Sequence, residues 1–119
     1  MKYLCLVHIE GAAFSGLSQA QKEDIDRRSL AYDEELQSSG RFIHAEALQS
    51  PKSAVLVKLR NGKLSATDGP FAETKEQLGG FILIEARDRD EAIRVAAGIP
   101  LAELGTIEVR PVYEVPAPP

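Results

Sequence analysis

Tyr3 to Ile9 is a short, mostly apolar run, and small residues from Gly11 to Gly16 follow it. That pattern predicts a buried strand leading into a loop. Ser18 with Gln21 three residues on is a capping-box pair that opens a helix. Ile25, Leu30, Tyr32 and Leu36 supply its apolar positions among charged residues, and Ser38-Ser39-Gly40 ends it. Arg41 to Leu48 alternates with the period of a strand. Phe42, His44, Glu46 and Leu48 fall on one side, and Ile43, Ala45 and Ala47 on the other. Ser50-Pro51 closes that segment. Ala54 to Leu59 is strand-like again, and Asn61-Gly62 favours a type I′ hairpin into a short partner strand at Lys63 to Thr67.

Asp68-Gly69-Pro70-Phe71 has the residues of a turn. Glu73 to Leu78 predicts a helical turn that Gly79-Gly80 interrupts, and Phe81 to Ala86 is the most apolar strand. Asp88 with Glu91 repeats the capping-box pattern. Ala92, Ile93, Val95, Ala96 and Ala97 form a small-residue stripe, and Gly98 and Pro100 stop the second long helix. Thr106 to Tyr113 is the last strand, so residues 1–115 read as one domain, with 116–119 an extended or disordered Pro-rich tail. The order strand, helix, strand, hairpin, strand, helix, strand predicts an α+β, ferredoxin-like split βαβ fold with an inserted β-hairpin and helices on one face of the sheet.

The strand periods assign side chains to the two faces of that sheet. The helices should take Ile43, Ala45 and Ala47, together with Ile107 and Val109. The open face is then expected to carry Leu4, Leu6, His8, Phe42, His44, Glu46, Phe81, Leu83 and Glu85, with Thr106, Glu108 and Arg110. Large apolar side chains mixed with titratable ones suit an interface better than bulk water. The expected partner is therefore a second copy, as a homodimer with a partly polar cavity at the seam. An ordinary half-wetted sheet face is the alternative.

Composition narrows the function classes. Hydrophobic residues make up 44% and charged residues 27% of 119, ordinary values for a globular chain. The net charge of -4, with cations scattered along the chain, argues against nucleic acid as a partner. No run approaches the ~18 apolar residues of a membrane span, no export signal is evident, and the lone Cys5 cannot form an internal disulfide. A cytoplasmic address without membrane contact is the expectation. No phosphate loop, nucleophile elbow or dinucleotide fingerprint occurs, and two histidines 36 positions apart have no metal-ligand spacing. The expectation is no cofactor and no metal.

Imidazole titrates near neutrality, so His8 and His44 are candidate acid–base groups wherever a carboxylate orients them. His44 with Asp68 forms the candidate catalytic pair, and Glu46 shares the face of His44. Asp68 could equally cap its own turn, and either histidine could be a satisfied structural group. Lys75 and Arg110 are candidate anchors for an anionic ligand, with Glu73 and His8 as further candidate contacts. Their alternatives are a solvated charged loop for Glu73 and Lys75, and an ion pair with Glu108 or Glu46 for Arg110.

The string Asp68-Gly69-Pro70-Phe71-Ala72-Glu73-Thr74-Lys75-Glu76 is followed by Leu78-Gly79-Gly80-Phe81, Asp90-Glu91-Ala92 and Ile107-Glu108-Val109-Arg110-Pro111. Together with Met1-Lys2-Tyr3-Leu4 and the Gly40 to Leu48 stretch, these residues resemble the DGPF branch of the YCII-related proteins. The resemblance implies a ferredoxin-like fold assembled as a dimeric α+β barrel. For function it implies either enzymatic chemistry around a His and Asp pair, or a sensory or regulatory module of the kind that accompanies extracytoplasmic-function sigma factors. His8 stands where that family more often carries an aromatic residue. Two readings follow. One is a cofactor-independent enzyme doing acid–base chemistry on a small anionic molecule near the dimer interface. The other is a non-catalytic ligand-binding or transcription-associated regulatory module.

Overall fold

The computed structural model describes every residue from Met1 to Pro119. The elements run β1 (Lys2–Glu10), α1 (Gly11–Ser15), α2 (Gln19–Ser38), β2 (Phe42–Ala47), β3 (Val55–Arg60), β4 (Lys63–Asp68), β5 (Glu76–Glu85), α3 (Arg89–Ala97) and β6 (Thr106–Pro111). Single 3₁₀ turns lie at Pro51–Ser53 and Pro100–Glu103. Four strands form one sheet in the order β2-β5-β1-β6, with every neighbouring pair antiparallel. This is the ferredoxin-like order that the element sequence predicts. The inserted hairpin, β3 with β4, is a separate two-stranded sheet.

β1 and β5 occupy the middle because they are the strands with apolar residues on both faces. Tyr3, Cys5 and Val7 of β1 and Ile82 and Ile84 of β5 are buried against Leu36 of α2 and Ala92, Val95 and Ala96 of α3, in one continuous core. The Tyr32 hydroxyl ties the helices together by donating to the Val95 carbonyl at 2.7 Å. Ser18 and Gln21 make both bonds of the capping box. At α3 the cap is different. Asp88 accepts from the Glu91 N–H at 2.8 Å, while the Glu91 carboxylate reaches one residue further back to the Arg87 N–H, at 3.1 Å. The Arg87 and Arg41 guanidiniums lie 3.1 and 3.5 Å from the same carboxylate, which accounts for a glutamate that is buried.

Several expectations are corrected. Gly11 to Gly16 contains the short helix α1 rather than only loop. Leu30 is exposed. At 100° per residue it points about 140° away from Ile25, whereas Tyr32 and Leu36 return to the same side. In β2 a register shift falls between Phe42 and His44. It turns Phe42 onto the helix-side core and leaves Ile43 exposed, while His44 and Glu46 keep the open face.

Glu73 to Leu78 is not helical, because β5 already begins at Glu76. Gly79-Gly80 lies inside that strand, at the irregularity where Val7 pairs Gly80 but His8 pairs Leu78. A methyl group on Gly80 would sit 2.8 Å from the Glu46 carbonyl oxygen, so the glycine allows β2 to approach. The turn at Asn61-Gly62 forms as expected, with positive φ at both residues (51° and 74°).

Candidate functional site

The face of the sheet away from α2 and α3 carries Leu4 and Leu6 of β1 and Phe81 and Leu83 of β5, paired as Leu4↔Leu83 and Leu6↔Phe81. All four are only partly buried. The edge strands place titratable side chains beside this apolar strip. β6 sets Glu108 opposite Leu6 and Arg110 opposite Leu4, while β2 sets His44 opposite Leu83 and Glu46 opposite Phe81.

His8 stands at the end of the strip, opposite Thr106, and Glu108 is its diagonal neighbour two residues along β6. The His8 Nε2 and Glu108 Oε1 are hydrogen-bonded at 2.9 Å, and the other oxygen of Glu108 lies 3.8 Å from Arg110 Nε. One carboxylate thus lies between an imidazole and a guanidinium. A carboxylate bonded to one ring nitrogen fixes the orientation of an imidazole and leaves the other nitrogen available to a ligand. The arrangement can exchange a proton and hold a negative charge within one patch.

His44 lies across the strip. Its Nε2 is 3.3 Å from Glu46 Oε2, and its ring packs at a tilt on Phe81 with centroids 6.0 Å apart. Both members of this pair are 59% exposed, whereas His8 is 29% exposed. The less solvated pair is His8 with Glu108, and its interaction is the less screened.

The other sequence candidates are placed elsewhere. Asp68 ends β4 on the separate ribbon, exposed, and its side chain makes no hydrogen bond or ion pair. The structure therefore brings His44 to Glu46, and gives Asp68 neither a histidine partner nor the self-capping bond. Glu73 and Lys75 are exposed on the loop before β5. That loop is held by the Gln77 amide, which donates to the Ala72 and Thr74 carbonyls at 2.7 and 3.0 Å. No group of three or more His, Cys, Asp or Glu side chains is arranged to hold a metal ion.

Glu108 is the site residue that the sequence reading assigned only as an ion-pair partner for Arg110. Its signal was the shared parity of positions 108 and 110, and the split βαβ order that lays β6 beside β1. Away from this face, burial raises the Asp33 carboxyl above the ordinary range. It lines a groove of about 210 Å³ on the helix side with Ser29, Gly79, Gly80 and Leu101.

This architecture defines a ferredoxin-like α+β protein with a polar constellation on an open sheet face. The YCII-related domain matches residues 1–116, and the chain belongs to that family. An uncharacterized protein, R00369, of Rhizobium meliloti (strain 1021) is 33% identical over 113 residues, covering 93% of this chain and 91% of that protein. Among solved structures, 5-chloro-2-hydroxyhydroquinone dehydrochlorinase (TftG) from Burkholderia phenoliruptrix AC1100, in complex with 2,5-dihydroxybenzoquinone, shares the fold. Its TM-score is 0.57 at 17% identity, over 97% of this chain and 96% of that one.

Proposed function

We propose that this protein is a DGPF-branch member that acts, without a cofactor, by acid–base chemistry on a small anionic molecule held on the open sheet face near a homodimer interface. The observation that carries the reading is the 2.9 Å bond between His8 and Glu108, with Arg110 on the far side of the same carboxylate. In this scheme Glu108 orients the ring and stabilises the imidazolium, and His8 takes up or delivers the proton. Arg110 grips the anionic group of the ligand, and the Leu4, Leu6, Phe81 and Leu83 strip receives its apolar part.

His44 with Glu46 borders the same strip from β2 as a second polar contact. Asp68, Glu73 and Lys75 belong to the motif that marks the branch and have no assigned step. The neighbour of the same fold is named for an activity on a small hydroxylated ring compound, which supports a small molecule as the ligand class.

The test is a thermal-shift screen of small organic acids and ionisable phenols, followed by turnover assays on any responder. The expected result is a stabilising ligand whose shift is lost in Arg110→Ala, and a turnover lost in His8→Ala and sharply reduced in Glu108→Gln. A ligand that binds all three variants as it binds the parent chain would refute the assignment. Binding abolished by Arg110→Ala, with no turnover under any condition, would leave a ligand-binding module instead of an enzyme.

A further inference from the structure

The β3–β4 ribbon is poorly covered for a structure of its kind. Its register places Val55, Val57 and Leu59 with Leu64 and Ala66 on one face, where Asp68 stands at the end opposite Val55, and Lys58, Arg60, Lys63, Ser65 and Thr67 with the partly buried Leu56 on the other. The four large residues of the apolar face, Val55, Val57, Leu59 and Leu64, are 53, 65, 64 and 71% exposed. None of the ribbon's side chains joins the core. A two-stranded hairpin is marginal in water unless another element covers its apolar face. Here the chain's own body does not.

The dimensions of the molecule agree. Its radius of gyration is 16.6 Å, whereas a compact chain of this length is expected near about 13.5 Å. It measures 47 × 47 × 19 Å, so it is broad and thin.

We infer that the ribbon is a clasp: its apolar face lies against a second copy of this chain, and the two copies exchange ribbons about a two-fold axis. The inference rests on the homodimer reading above and adds which element holds the dimer together. Two features favour a second copy as the occupant, and the charge balance permits it: the ribbon carries three cations, all on the face opposite its apolar one, against the single Asp68, which leaves the remainder of the chain with 11 cations and 17 carboxylates.

A two-fold arrangement also makes each contact twice, so a short ribbon suffices where a single docking would bury too little. Finally, the chain already presents a second apolar surface, the open sheet face with Leu4, Leu6, Phe81 and Leu83, so an identical chain offers both an arm and a surface to cover.

The experiment is sedimentation equilibrium of the whole protein and of the Leu59→Lys/Leu64→Lys double variant, with far-UV circular dichroism and melting curves on both. Both substituted positions are exposed and outside the core, so the body should keep its spectrum. The expected result is a dimeric parent and a double variant whose dimer dissociates at least about thirty-fold more readily, the effect of removing an interface hot spot. A parent dimer that the double substitution leaves intact would overturn the clasp while the dimer reading stands. A parent that stays monomeric at high micromolar concentration would overturn both. Should the double variant lose its fold, hydrogen exchange of the unaltered protein decides. Ribbon amides that lose protection as dimers dissociate on dilution support the clasp, and ribbon amides indifferent to dilution exclude it.

Discussion

Replacing Ile84 by Ala removes three carbons from the point where the four-stranded sheet meets its helices. Ile84 is wholly buried, and it pairs with Tyr3 of β1 on one side and Phe42 of β2 on the other. At ~0.8 kcal/mol per buried carbon the transfer loss is about 2.4 kcal/mol. The site has little room to collapse, because both flanking residues are aromatic and held by strand pairing. The cavity contribution should therefore carry the total towards ~4 kcal/mol. That is a large fraction of the ~5–15 kcal/mol by which domains of this size are stable.

The assay is urea denaturation at one fixed protein concentration, so that any association contributes equally to both chains. The midpoint should fall with the slope against denaturant unchanged. Leu83→Ala provides the internal contrast, since its neighbour Leu83 lies on the open face and is only partly buried. It should cost clearly less in dilute protein. A cost below ~1 kcal/mol for Ile84, or a greater cost for Leu83 in dilute protein, would refute the assignment of the two faces on which the functional reading depends.

Two further outcomes follow from buried groups. Burial pushes the Cys5 thiol up to about 11, so at pH 8 only about one thiol in a thousand is the reactive thiolate. A disulfide reagent should label Cys5 slowly in the native chain and stoichiometrically after denaturation, and rapid native labelling would contradict the packing. The Arg87 backbone N–H, followed by the Arg41 guanidinium, holds the Glu91 carboxyl below its ordinary value of 4.5. A carboxyl with a lowered folded value stabilises the fold above its ordinary titration range, and this contribution is lost as pH falls through the folded value. Glu91→Gln should therefore lower the urea midpoint at pH 7 and converge with the parent chain as pH falls below the ordinary carboxylate range; parallel profiles would show that the ion pairs carry no such linkage.

Much of this architecture is legible residue by residue. Ser18, Gln21 and Gly40 mark α2, Asn61-Gly62 marks the hairpin, and the near-continuous apolar runs of β1 and β5 mark the two central strands. These signals are local, since a cap, a turn or a period depends on residues within one or two turns of each other. The failures are also physical. Gly79-Gly80 reads as a break, yet glycine inside a strand serves equally where a neighbouring backbone comes close. The register shift at Phe42 inverts one side chain without altering the alternation on either side of it.

The polar constellation was visible in part. Strand parity assigns both histidines, Glu108 and Arg110 to the open face. The pairing of His8 with Glu108, residues 100 positions apart, required the relative register of β1 and β6. Asp68 and Lys75 stand out in the sequence through their motif, but the fold sets Asp68 at the end of the ribbon and Lys75 on the loop that leads into β5, and neither side chain pairs with a histidine.

The amino-acid order by itself determined the two long helices, the strands with the hairpin, their order and the two-faced character of the sheet, because periodicity and capping act between near neighbours. Only the tertiary structure decided which carboxylate meets which imidazole, and that the hairpin leaves its apolar face uncovered by its own chain. Those outcomes depend on strand register and on the packing of distant segments, where a shift of one residue exchanges one face for the other.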